Sequence, residues 1–429
     1  MKRFTDAFLS RFLADLWKDR GKTTVIVVGL LLLSVVIHLT TANAQEVTIQ
    51  KSNPSQFNVV SAPLPNFPIS SSQTVSGPIA NVDPFIGTGG AIHDFPGAIV
   101  PFGMVSISPD TNLAHAGGFN YGDPDIMGFS QVHEEGVGCA DLGNILIVPT
   151  TGGIATSESG YQSPYNNLAA SPGYFRATLT NSGTTAEMTA TIHASYNQYT
   201  FPARNGDANI LIDVTHALSP YVQGGTVNVI SPTEVQGWAT SGHRCGHSNL
   251  QTVYFDAQFS KAATKIGTWL NGVTSTASSQ TGQHVGAYFS TTTAANEVIT
   301  VKIGVSYTSV ANAVLNVNTE IPAGTTFNQI LTNAQNAWNT ELSKITVGGG
   351  TSDQQKEFYT ALYHSLMIPN VLSDVNGQYP GPNNSGVKTA AGYVQYDFFN
   401  TWDQQRSNFA LLALGWPERL SDMMKSVDA

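Results

Sequence analysis

Three stretches of this sequence carry side chains whose types and spacing could do chemistry. Near the C-terminal end, "NTWDQQR" sets Trp402, Asp403 and Arg406 close together. An indole face can stack on a sugar ring, and a carboxylate can accept two hydroxyl hydrogens at once. The same residues suit an aspartate that stabilises its own helix N-terminus, with Arg406 as its i,i+3 partner. Further upstream, "QVHEEG" places His133, Glu134 and Glu135 in a glycine-flanked loop just before a strand-like run. Polar side chains on such a loop either line a pocket or stay solvated. In "GHRCGH", His243, Cys245 and His247 alternate, so on a strand they would share one face and offer soft ligands to a metal such as zinc. Three ligands without a fourth more often belong to a structural turn.

Other chemistries are absent from the motif record. The sequence has no G-x-S-x-G elbow, no C-x-x-C pair and no P-loop. "GTGG" at 87–90 lacks a lysine and a following helix, and reads as a turn. "HEEGV" begins like a zinc-protease helix but has no second histidine.

Composition narrows the partners. Charged residues are 11% of the 429, well under half the usual ~25%. Net charge is −10 and no basic run follows residue 22, which argues against nucleic acid. Abundant glycine, serine, threonine and asparagine suit short strands joined by turns, and a polar neutral ligand such as a sugar.

The first residues read as an export signal. Lys2, Arg3, Arg11, Lys18, Arg20 and Lys22 precede the apolar "VIVVGLLLLSVVI" at 25–37, and the small-x-small "ANA" follows at 42–44. Thirteen apolar residues fall short of the ~20 that a spanning helix needs. Cleavage after Ala44 is therefore expected, with an uncleaved membrane anchor as the alternative. Cys139 and Cys245, the two cysteines, either pair in an exported chain or stay as buried thiols.

The elements that must position these residues follow from hydrophobic period. Residues 45–80 carry prolines among serines and read as a linker. From 81 to about 320 come short β-type runs, among them "GNILIVPT", "TVYFDAQF" and "EVITVKIGVSYTS", separated by Gly, Asn and Ser. They predict an antiparallel β-sandwich. After Pro322 the period becomes helical. Phe327, Ile330, Leu331, Ala334, Ala337, Trp338 and Leu342 share one face, then Phe358, Leu362 and Leu366, with Ser352 as N-cap. Pro417 suits the first turn of a final helix whose stripe is Leu420, Met423, Met424 and Val427.

Read in order, "VDPFIGTGG", "DFPGAIVPFGMVSISPDT", "GFSQVHEEGVGCADLGNILIVPTTG", "EFYTALYHSLMIPNVLSDVNGQY" and "NTWDQQRSNFALLALGWPERLSDMMKS" resemble glycoside hydrolase family 92 over residues 81–429. That family comprises exported calcium-dependent exo-α-mannosidases. With the signal peptide at 1–44 and the linker at 45–80 already read from the residues, the resemblance implies a β-sandwich at 81–322. It further implies a helical linker at 323–350 and, at 351–429, the first helices of a six-hairpin α/α barrel. It implies release of terminal α-mannose from a glycan with inversion, and it makes Phe95, His133, Trp402, Asp403 and Arg406 the substrate-binding set. The catalytic carboxylates and the Ca²⁺ ligands are expected beyond the position matching Ala429. The chain is therefore expected to be an N-terminal part without turnover of its own. A non-catalytic carbohydrate-binding sandwich is the alternative. Two departures stand out, the acidic "HEEG" loop and the glutamines after Asp403.

Overall fold

The computed structural model of the protein describes residues 48–49, 77–90, 93–247, 249–382 and 385–429. The predicted signal peptide and nearly all of the predicted linker lie outside the described residues.

Alternating side chains build the β region as expected. In Tyr174–Leu179 burial switches at every residue, sending Phe175, Ala177 and Leu179 inward. Its neighbours continue the pattern into a ten-stranded antiparallel sheet. The central order of that sheet is Tyr221–Ser231, Glu234–Gly242, Leu250–Phe259, Glu297–Ser306, Ala194–Phe201, Thr184–Ala190, Tyr174–Leu179. A second sheet of eight strands is centred on Lys265–Leu270, Val285–Thr293, Arg204–Asp213, Leu146–Thr151 and Gly128–Ser130. One apolar core joins the two sheets. Phe259 of the first stacks on Phe289 of the second at 4.6 Å and 4°, and Phe129 meets Phe175 at 6.2 Å. Each such buried aromatic contributes roughly 1.5–3 kcal/mol over an exposed one.

The helices start earlier than the change of period suggests. Helix α1 spans Val310–Glu320, inside the stretch assigned to the sandwich. Its inward face carries Asn312, Ala313, Asn316 and Val317, so asparagines interrupt the apolar stripe that would have betrayed it. Those asparagines are not wasted, because Asn312 and Asn316 donate to the buried Asp374 carboxylate at 3.0 and 2.7 Å. The helix lies so close to the sheet that a Cβ on Gly304 would meet the Ala313 carbonyl at 2.1 Å.

Helix α2 (Phe327–Leu342) buries Phe327, Ile330, Ala334, Trp338 and Leu342, as its spacing predicts. Trp338 Nε1 donates to Ile99 O at 2.6 Å, which fixes the helix to the sandwich. Helix α3 (Ser352–Ser365) is capped one residue earlier than expected, with Thr351 and Gln354 forming a capping box. Tyr359, Leu362 and Tyr363 face inward, and Phe358 is only half-buried.

Helices α4 (Asn408–Gly415) and α5 (Pro417–Asp428) close the chain, with Pro417 in the first turn of α5. The predicted stripe of α5 is covered only in part. Leu412 and Met423 are both 0% exposed, whereas Met424 and Val427 face solvent. The anchor is polar. Glu341 of α2 accepts from Trp416 Nε1 at 2.6 Å and Arg419 Nη2 at 2.9 Å. Burial alone would raise the Glu341 carboxyl, but Arg419, Lys344 and Trp416 hold it below its ordinary value. Among the described residues no helix is long and apolar enough to cross a membrane.

Candidate functional site

Cys139 and Cys245 form a disulfide across 106 residues of sequence, with Cα atoms 5.5 Å apart. The pairing left open by the sequence is made, and Cys245 has no thiolate for a metal. The zinc reading of "GHRCGH" therefore loses its central ligand. Arg244–Gly246 is a tight 3₁₀ turn rather than a strand, left-handed at His243 (φ 69) and Cys245 (φ 51). The His243 ring lies flat on Tyr221 at 4.4 Å and 14°.

The disulfide carries two flanking residues, Asp141 and Arg244, to the lining of one cleft of about 920 Å³. Gln223, Asn249, Gln251 and Tyr307 add sandwich side chains to it. The segment after α3 completes it with Leu372, Pro380–Pro382 and Asp397–Phe399. Amides, carboxylates and one guanidinium are thus presented beside the aromatic faces of Tyr307 and Phe398. Such a mixture recognises hydroxyls and the apolar face of a ring together.

Electrostatics around the lining are unbalanced, although Glu134 itself does not line the cleft. Arg244 Nη1 donates to Glu134 Oε1 at 2.7 Å, and Glu134 is 1% exposed. Its second carboxylate oxygen is buried without a hydrogen-bond partner. Loss of solvent raises the Glu134 carboxyl to about 8; Asp141 and Asp397 add repulsion, and Arg244 opposes them. Asp397 is raised as well, chiefly because protein crowds its carboxyl, although water still reaches the residue. Asp141 is better satisfied, accepting from Ser219 Oγ, from Asn249 Nδ2 at 3.1 Å and from the Leu142 amide at 3.0 Å. One guanidinium thus pairs with Glu134 and also acts on Asp397, and perturbed carboxyls of this kind cluster at binding sites.

The residues singled out from sequence are placed differently. His133 is 2% exposed and belongs to the sandwich interior rather than to the cleft lining. Its Nδ1 faces Ser106 O at 2.7 Å, and its Nε2 faces Asp110 Oδ1 at 2.9 Å and Ser130 Oγ at 3.0 Å. Asp110 is shared with His216 Nε2 at 2.9 Å, whose Nδ1 reaches Glu158 at 2.8 Å. Phe95, 1% exposed, packs against the His133 ring at 5.3 Å. Both sequence candidates, on two separate segments, are thus walled off from solvent. Trp402 is 65% exposed and covered on one face by the Arg406 guanidinium, 4.4 Å from the ring centroid. Asp403 accepts from Asn400 Nδ2 at 2.6 Å at the start of its short helix. None of these three lines the cleft, though Asp397–Phe399 just before them do. Glu134 and Glu135 are not solvated loop charges, since Glu135 is 4% exposed and pairs with His364 of α3.

Arg244, Asp141 and Asp397 escaped the sequence reading. The available signal was the pair of cysteines, since a Cys139–Cys245 bond must bring Asp141 and Arg244 together.

Comparison with known proteins finds family matches over most of residues 81–428. Residues 81–306 match the glycosyl hydrolase family 92 N-terminal domain, and residues 312–428 match the family 92 catalytic domain. A family GH92 alpha-mannosidase from Bacteroides thetaiotaomicron superposes with a TM-score of 0.77 at 30% identity, covering 82% of this chain and 49% of that one. The same mannosidase in complex with mannoimidazole also superposes with a TM-score of 0.77, covering 48% of its chain. An uncharacterized secreted glycosidase from Arthroderma benhamiae is 28% identical over 330 residues, 70% of this chain and 42% of the relative. The chain thus spans about half the length of these relatives. With one family domain matching more than half of the sequence and the second following it directly, the chain belongs to glycosyl hydrolase family 92.

Proposed function

We propose that this chain supplies the sugar-recognising cleft of an exported enzyme that releases terminal α-linked mannose with inversion. The observation that carries the reading is the cleft beside the Cys139–Cys245 disulfide, whose lining pairs hydroxyl-binding groups with aromatic faces. In this reading Asp397 and Asp141 accept sugar hydroxyl hydrogens, Arg244 and the amides of Gln223, Asn249 and Gln251 donate, and Phe398 lies against the ring. Helices α3 to α5 are the first elements of an α/α barrel. Trp402, Asp403 and Arg406 extend the binding surface past the cleft, next to Asp397–Phe399, while Phe95 and His133 support its loops from behind.

Inverting hydrolysis needs one carboxylic acid at the leaving oxygen and one carboxylate activating water, ~6.5–9.5 Å apart. We assign neither role to a residue of 1–429, so this chain alone is expected to bind but not to turn over. Calcium is likewise not assigned to residues present. Among the described residues one trio of Asp, Glu, His or Cys groups converges, and it contains an imidazole, unlike the six to eight oxygens calcium takes. Export is supported by the disulfide, which persists in oxidising compartments, and by the secreted relative. N-terminal sequencing of the mature protein should then begin at Gln45; a start at Met1 favours the membrane anchor instead.

The experiment is a titration of the full chain with methyl α-mannoside and, separately, methyl α-glucoside. Mannoside binding preferred by about tenfold or more is expected, since one misplaced hydroxyl leaves buried polar groups unpaired. Equal affinity for both sugars, or none for either, would contradict the reading. Mannose release from an aryl α-mannoside that disappears in Asp397→Asn would overturn the assignment of catalysis elsewhere.

A further inference from the structure

Three segments remote in sequence bring Asp94, Glu135 and His364 together, with one ligating atom of each within 4.8 Å of the others. Asp94 and Glu135 sit on loops of the β region, and His364 sits in the last turn of α3. The orientation of the imidazole is the informative feature. Its Nε2 lies 3.1 Å from Ile86 O, and a carbonyl only accepts, so Nε2 carries the hydrogen. Nδ1 is then left facing the Glu135 Oε1 atom that it touches. In the metal-free chain a proton lies between the two atoms, and a metal ion would displace it as they part to ligand spacing. A carbonyl fixing one ring nitrogen while the other meets a carboxylate is also how metal-binding histidines are held.

Asp94 lies beside this pair, its carboxylate 3.9 Å from His364 Nε2. A divalent cation would be balanced by the two carboxylates with the imidazole neutral. Glu135 is braced for the role, its other oxygen accepting from the Phe95 amide at 3.3 Å. Asp94 is seated against bare backbone, where a Cβ on Gly87 (φ +92) would meet its Oδ2 at 1.9 Å.

We propose that Asp94, Glu135 and His364 form a binding site for a small divalent transition metal, zinc by preference, that clamps the β region to helix α3. One imidazole and two carboxylates with a water as fourth ligand suit zinc, whereas an imidazole disfavours calcium and magnesium. The site involves neither His243 nor His247, and it does not depend on the mannoside reading.

The test is titration of the chelator-stripped full chain with zinc, calcium in parallel, read by calorimetry and by thermal unfolding. One zinc per chain and a rise in Tm of at least about 3 °C are expected, as for any ligand that binds only the folded state. Asp94→Asn keeps the Glu135–His364 pair, so its metal-free Tm should match or exceed that of the parent, while zinc affinity falls by about tenfold or more. A His243→Ala/His247→Ala variant should bind zinc unchanged. No zinc uptake, uptake undiminished in Asp94→Asn, or loss of uptake in the His243/His247 variant would each overturn the proposal.

Discussion

Asp110 and Glu134 are both shut inside the same β region, at 0% and 1% exposure, and their neighbourhoods push them in opposite directions. Asp110 accepts from His133 and His216, one ring on each carboxylate oxygen, and His216 is continued to Glu158. Burial would raise its pKa, but the two imidazoles outweigh burial and hold it far below the ordinary carboxylate range. Glu134 has one guanidinium on one oxygen, nothing on the other, and two more carboxylates nearby, so burial wins and raises it. The number of donors per carboxylate separates them. A buried carboxylate with donors on both oxygens is framework, and one with an unpaired oxygen and acidic neighbours is instead held protonated.

The first way to break the comparison is to remove the framework charge. Asp110→Asn leaves two buried histidines without their common partner and should cost roughly 3–5 kcal/mol in denaturant unfolding, as for other broken buried pairs. A loss under ~1 kcal/mol would show that the imidazoles do not depend on Asp110. Next in size is the crosslink. Cys139→Ser/Cys245→Ser releases a long loop and should cost about 2–5 kcal/mol by the same measurement. It should also weaken mannoside binding, because Asp141 and Arg244 are no longer held to one cleft. Unchanged affinity with the expected loss of stability would separate the crosslink from the site.

The pH dependence sharpens the contrast. His216 is raised from 6.5 to about 10, burial being overcome by its hydrogen bonds to Asp110 and Glu158. Its contribution to stability is complete below 6.5 and is lost as pH rises through 10. Asp110 is lowered, so its contribution is present above 3.8 and fades as acid is added. Glu134 runs the other way. Its folded carboxyl holds a proton up to about 8 against 4.5 unfolded, so stability falls as pH rises between those values. Glu134→Gln should flatten that decline and gain roughly 1–2 kcal/mol at pH 8, with little change at pH 4.5. A decline of the same slope in the variant would place its origin elsewhere.

The framework was far more legible in the sequence than the site. Strands such as Tyr174–Leu179 and Glu297–Ser306 announce themselves because period-2 burial is local information. The family resemblance, likewise, rests on runs of consecutive residues, and the matched domains agree with it. Helix α1 hid because Asn312 and Asn316 occupy its buried face to serve Asp374, a partner about sixty residues away. The cleft lining was hidden for the same reason on a larger scale. Arg244 reaches Glu134 across 110 residues, and no local pattern encodes such a contact. His133 misled in the opposite sense, since a polar residue in a glycine-rich loop looked like a pocket contact but is consumed by Ser106 and Asp110. The cysteines alone carried long-range information that could be read without coordinates.

The most direct test of the cleft is calorimetric titration of methyl α-mannoside into the parent chain and into Arg244→Met and Asp397→Asn. Binding in the parent that weakens by about tenfold or more in each variant is predicted, from loss of one charge-assisted hydrogen bond at ~1.5–3 kcal/mol. The Glu158→Gln variant, altered at the outer end of the Asp110 network, should bind like the parent. Parent-like affinity in both cleft variants, with their folds intact, would contradict the assignment of sugar recognition to this cleft.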